Sequence, residues 1–281
     1  MFELLQYSFF TNALLGIVII SVAAAFIGTY IITRRLVAIS GGVTHACFGG
    51  LGLGYYLGIN PIIMASVFAV AASAGVEWMS QRYRVREDSA TAVVWALGMA
   101  IGVVFIFLTP GYVPELNAFL FGNILTITPS DLWAFAIYTI ILMVFFALFY
   151  NKIIACSFDR DFAQVSHLPV KVISYAMTAL VAVCIVLTIR LVGIMLLMSM
   201  LTLPQMIAEM FAPRFKMMVI LSMIISIACG VTGLFISATI NVPCAAIIVI
   251  LFAVIFILVE FSFHFVNNTF FYFLLYISTF V

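Results

Sequence analysis

Charge is what this sequence has least of. Of 281 residues, 10 are acidic and 11 basic, 7% in all, against about a quarter in ordinary soluble domains. So few charges cannot solvate the surface of a globule this size. That excludes a soluble enzyme, a nucleic-acid binder and a disordered chain. Cysteine is sparse as well. Cys47, Cys156, Cys184, Cys229 and Cys244 are odd in number, form no C-x-x-C and mostly lie in or beside apolar runs. They read as buried thiols, which excludes a disulfide scaffold and a zinc knuckle. No Lys or Arg precedes Arg34, so the first apolar run lacks the basic start of a cleavable signal and is expected to be a retained helix. No Gly precedes Lys152, Lys171 or Lys216. The phosphate-cradling G-x-x-x-x-G-K-[ST] loop is therefore missing, and any ATP-driven motor must be another polypeptide. H-E-x-x-H, G-x-S-x-G and paired intramembrane Asp residues are missing too, which leaves an intramembrane enzyme little to work with.

What remains is apolar: 67% of the residues are hydrophobic. A helix needs about 20 such residues to cross a bilayer's ~30 Å hydrocarbon core. The runs predict spans near 9–33, 42–59, 61–80, 89–108, 131–150, 171–190, 192–211, 217–239 and 244–265. The expected fold is all-α: a polytopic membrane protein of about eight or nine transmembrane helices plus short re-entrant or interfacial segments. Ile59-Asn60-Pro61, Thr109-Pro110-Gly111 and Asn241-Val242-Pro243 suit tight reversals between antiparallel helices. The cations Arg34/Arg35, Arg82/Arg84/Arg86, Lys152/Arg160/Lys171 and Arg214/Lys216 then share one side, the cytoplasmic one by the positive-inside rule. The N-terminus is expected outside and the C-terminus inside. One membrane domain covers 1–265. Residues 117–130 are too short to span and read as re-entrant or interfacial. The aromatic tail 266–281 is expected to lie on the membrane or pack as a partial helix.

The second span is the most unusual. Gly42, Ala46, Gly50 and Gly54, with Gly58 beyond, recur every fourth residue, a smooth stripe that lets a neighbouring backbone approach closely. His45 sits beside it. An ionisable group at membrane depth normally faces a polar cavity or a partner. Two readings stay open: a histidine bonded to a backbone carbonyl, or a ligand on a transport path, since imidazole can bind zinc, iron or manganese ions and selects poorly among them. Cys47 falls on another helix face. Elsewhere, Ser157 or Asp159 caps a short helix in 157–170 that ends before Pro169. Phe158, Phe162 and Val165 give it one apolar side, which reads as a docking element rather than a solvated connector. Arg190 and Glu209 read as snorkelling groups at the interfaces, Glu77 as an ion-pair partner for the nearby arginines, His264 as packed, and Asp88 as a charge at a helix N-terminus.

Several separated motifs carry a resemblance. Arg34-Arg35-Leu36, Ser40 to Gly50 and Gly58-x-Asn60-Pro61 come first. Asp88-Ser89-Ala90, Leu120-Phe121-Gly122-Asn123-Ile124-Leu125, Thr128-Pro129-Ser130-Asp131-Leu132, Phe158-Asp159 through Ala163 to Leu168-Pro169-Val170, Val192-Gly193 and Leu203-Pro204 follow in order. Together they resemble the membrane permease subunits of zinc/manganese-type ATP-binding cassette (ABC) importers over most of the chain up to about residue 265. The resemblance implies a permease, not an enzyme, for a divalent transition metal such as zinc, manganese or iron. The metal would be transported and not held as a stable cofactor. Implied partners are a second permease copy in a homodimer, two ATPase subunits, an extracytoplasmic metal-binding protein and the bilayer of a bacterial cytoplasmic membrane, with no nucleic acid. It carries His45 over as a candidate metal ligand of the path. The family's Asp four residues earlier is Gly41 here. It makes 157–170 the cytoplasmic coupling helix, with Asp159, Asp161, Phe162, Ala163 and Val165 facing the ATPase; His167 stands where the family has Gly. A permease for a metal chelate, such as a siderophore or cobalamin, is the alternative within transport.

Overall fold

The computed structural model describes residues 6–278 except 84, 111–121, 123, 125–126 and 213, with side chains up to residue 262 other than that of Arg160. It is helical throughout the elements described: α1 (Ser8–Thr33), α2 (Val37–Leu57), α3 (Pro61–Tyr83), α4 (Glu87–Leu108), α5 (Pro129–Phe158), α6 (Arg160–Val165), α7 (Val170–Phe211), α8 (Phe215–Ile240) and α9 (Cys244–Ser278). All but α6 are long and apolar enough to cross a membrane. The re-entrant or interfacial element expected over 117–130 falls largely outside the described residues, as does Arg84. Past residue 265 the backbone of α9 continues as helix to Ser278.

Local chemistry sets the joints. Gly58 ends α2 in the left-handed conformation, where a residue without Cβ carries no penalty. Asn60 Oδ1 then accepts from the Ile62 amide at 3.0 Å to start α3. Asn241 closes α8 in the same left-handed region. Thr128 and Asp131 form a reciprocal capping box on α5 with Pro129 just inside it, satisfying amides that have no intrahelical partner.

α7 is 42 residues long, roughly 63 Å if straight, twice the hydrocarbon thickness. It is not straight. Gly193 has φ 80° and ψ 170°, a region essentially reserved for glycine. Ser174 lies 3.5 Å from the Arg34 guanidinium, while Glu209 and Ala212 line a cleft with Arg34 and Arg35. Residues 174 and 209 would lie roughly 52 Å apart on a straight helix. Both ends of α7 therefore sit at the same end of the bundle, and the chain doubles back at Gly193. Its arms, 170–192 and 194–211, correspond to the two spans expected there. At the far end Gly122, itself at φ 61°, packs so closely that a Cβ would lie 2.2 Å from the Val192 carbonyl carbon.

α1, α2 and α7 are the most buried helices, and α4, α5 and α9 are peripheral. Phe107, Trp133, Leu148, Leu258 and Phe261 project outward from the peripheral helices, as a lipid solvent permits. The end where α1 meets both termini of α7 holds a polar network. Arg34 donates to Tyr30 Oη at 3.0 Å and pairs with Glu87 at 3.5 Å. Buried Glu77 accepts from Ser174 at 2.5 Å and from Gln81 at 2.6 Å. Arg190, read as snorkelling, instead pairs with Asp131 at 2.9 Å. The fold-back delivers it to the start of α5, where a carboxylate already held by the capping box is waiting. All five cysteines are buried and none forms a disulfide.

Candidate metal path and coupling surface

His45 lies midway along α2, about one turn beyond Gly41. It is half-buried, and its ring stacks on Trp95 of α4 with centroids 4.6 Å apart and planes 3° from parallel. Among the described residues it has no hydrogen bond and no ion pair. The carbonyl-bonded histidine is thus not what the structure holds. The imidazole is positioned by π-stacking, which orients the ring and leaves both nitrogens uncommitted.

The close approach of α4 sets this geometry. A Cβ on Gly98 would lie 2.5 Å from Ala46 Cα, and one on Gly102 2.5 Å from the Phe48 carbonyl oxygen. Gly42 meets Thr91, also on α4, while Gly50 and Gly54 meet Met64, Ala65 and Pro61 on α3. The stripe Gly42, Ala46, Gly50, Gly54 is therefore shared between two neighbours. Positions four apart advance by about 40° per step on a helix, so a series of four turns from one partner to the next. Gly98 and Gly102 form a G-x-x-x-G pair whose spacing signals close helix contact. That pattern is visible in the sequence itself, whereas Trp95, one turn earlier, carries no local signal.

α6 supplies the second candidate surface. Asp159 is its N-cap, its Oδ1 accepting from the Phe162 amide at 2.8 Å. Phe158, Phe162 and Val165 are 65%, 63% and 78% exposed, while Asp161 is exposed beside them. Ala163 points the other way and is fully buried, so it anchors the helix instead of facing outward. His167 adopts φ 55°, a left-handed turn that glycine takes at less cost.

The pattern of the ABC 3 transport family matches residues 6–263. The chain belongs to the ABC 3 transport family. It is 36% identical over 259 residues to an uncharacterized membrane protein of Synechocystis sp., covering 92% of each chain. It is 30% identical over 253 residues to the manganese transport system membrane protein MntC of Listeria monocytogenes, covering 90% of each. The solved structure titled PsaBC from Streptococcus pneumoniae in complex with Fab superposes with a TM-score of 0.80 at 26% identity, over 91% of this chain and 92% of that one. This family member is accordingly a multi-pass protein of the cytoplasmic membrane and a permease subunit rather than an enzyme. Among its described residues no three His, Cys, Asp or Glu side chains converge as a metal cluster.

Proposed function

We propose that this chain is the membrane-spanning subunit of an ATP-driven importer for a divalent transition metal, acting as a homodimer with two ATPase subunits and an extracytoplasmic metal-binding protein. The observation that carries the reading is His45: a half-exposed imidazole, held by Trp95, with neither nitrogen bonded to any of the described residues. A histidine kept only for packing would satisfy its polar atoms when partly buried; a ligand must keep one available. The cation-bearing end of the bundle is assigned to the cytoplasm, which puts the N-terminus outside. There Phe158 at the end of α5 and Phe162 and Val165 on α6 are offered to a cleft on the ATPase, so that closure of the motor is transmitted through α5 and α7.

A path wide enough for a chelate is not favoured. Gly42, Gly49, Gly50, Gly52 and Gly54 are all in close contact with α3 or α4, so these α2 glycines bring helices together instead of opening a lumen. The deciding measurement is metal uptake by His45→Ala in cells lacking other importers. The expected result is loss of uptake at normal membrane abundance; unchanged uptake removes His45 and the reading with it.

A further inference from the structure

The descending arm of α7 has an unusual exposed face. Ile194, Leu196, Leu197, Met200, Leu201, Pro204, Ile207 and Ala208 are buried. Met195, Met198, Ser199, Thr202, Leu203, Met206, Glu209 and Met210 are not. The eight fall within about 140° of one another at 100° per residue, so they form one face. A lipid-facing strip would be written mainly in Leu, Ile, Val and Phe. This one carries four thioethers, two hydroxyls and a carboxylate beside a single leucine. Near its end Glu209 lines a cleft of about 650 Å³ at the α6 end of the bundle.

Its upper part meets α2 beside His45. A Cβ on Gly41 would lie 3.3 Å from the Met198 methyl carbon, and Met198 Sδ is 3.9 Å from Thr44 Oγ1. Side chains on a helix lean toward its N-terminus and cover the preceding turn. The His45 side chain therefore leans toward the turn where Met198 sits. The arm is held firmly enough to present a ligand. Pro204 removes the amide that would bond the Met200 carbonyl, and the Gln205 side chain replaces it at 3.0 Å while also donating to the Ala24 carbonyl at 2.9 Å.

We propose that the Met198 thioether is a second path ligand beside His45, and that this imidazole–thioether pair makes the path selective for ferrous iron or zinc over manganese. Thioether sulfur is a soft donor and imidazole a borderline one. Manganese prefers carboxylate, carbonyl and water oxygens and stands lowest in the divalent affinity order. Met206 and Glu209 continue the same face toward the cleft. The inference rests on the importer reading above.

The test uses the whole transporter with its ATPase and binding-protein partners, in cells lacking other importers. Uptake of zinc, iron and manganese is measured separately and in competition. Met198→Leu keeps the volume and removes the donor; it is expected to lower zinc and iron uptake five-fold or more and to narrow their preference over manganese. Gly41→Asp keeps Met198 and adds oxygen donors, the methyl end of Met198 giving way. It is expected to shift the preference toward manganese. Met198→Ile, a second volume-conserving exchange without the donor, answers the question if Met198→Leu fails to reach the membrane. Unaltered metal preference in the Met198 variant that reaches normal abundance overturns the role of Met198, and a parent transporter that prefers manganese overturns the selectivity. His45→Ala in the same assay keeps the failures apart. If it abolishes uptake while Met198→Leu changes nothing, only this inference falls; if it leaves uptake intact, the importer reading falls.

Discussion

The contact between α2 and α4 makes a prediction in which one substitution has two outcomes. Gly98 and Gly75 both lie within transmembrane helices. Replacing either by Ala adds the same methyl group and the same gain in helix propensity, about 1 kcal/mol. Around Gly75 the new Cβ meets nothing within 4 Å; at Gly98 it lies 2.5 Å from Ala46 Cα and 2.9 Å from Ala46 Cβ and O. These neighbours are backbone and a methyl stub, with no rotamer to yield. An ordinary carbon–carbon contact needs ~3.5 Å, so the helices must part by roughly 1 Å. Overpacking of this kind costs about 1–3 kcal/mol. The propensity gains cancel, and Gly98→Ala should be about 1–3 kcal/mol less stable than Gly75→Ala. Denaturant or thermal unfolding of the purified subunit in detergent measures the difference. Separation of α2 from α4 should also disturb the stack between His45 and Trp95, so tryptophan emission should change in Gly98→Ala and not in Gly75→Ala. Equal stability, or a more stable Gly98→Ala, would refute the claim that this packing positions the imidazole.

Other substitutions probe separate parts of the molecule. Phe162→Asp places a charge on the exposed face of α6 and should uncouple ATP hydrolysis from uptake in the reconstituted complex; retained coupling would count against α6 as the docking element. Gly193→Ala forces a Cβ into a conformation costing about 1–3 kcal/mol, so the subunit should lose stability and yield more than an alanine placed on an exposed helix surface; unaffected yield and unfolding midpoint would argue against the fold-back. His167→Gly relieves a left-handed residue worth roughly 1 kcal/mol, and His167→Val aggravates it. The two should therefore move the unfolding midpoint in opposite directions, and a shift of the same sign would refute the strain argument.

The spans were legible because lipid imposes long apolar runs. Even the fold-back of α7 was readable, since Arg190 interrupts an otherwise continuous run and Gly193 follows it. The Asn-Pro joint before α3 and the Asn241 end of α8 were equally local. The exposed apolar face around α6 was readable from three apolar residues at helical spacing, but the burial of Ala163 depends on what lies behind the helix. Partnerships set by the tertiary fold were not readable. Arg190 meets Asp131 only because α7 doubles back, and His45 meets Trp95 only because Gly98 and Gly102 admit α4. The exposed face of the descending arm was hidden for another reason. Its methionines are indistinguishable by type from buried Met200, and only neighbouring helices decide which sulfurs are covered.

The sealed state of the native thiols has a practical consequence. With every native cysteine sequestered, a water-soluble maleimide should find almost nothing to label on the intact subunit. A single cysteine introduced at an exposed site such as Val165 would then report alone, and the face of a sealed vesicle from which reagent reaches it would give the direction in which the chain is threaded.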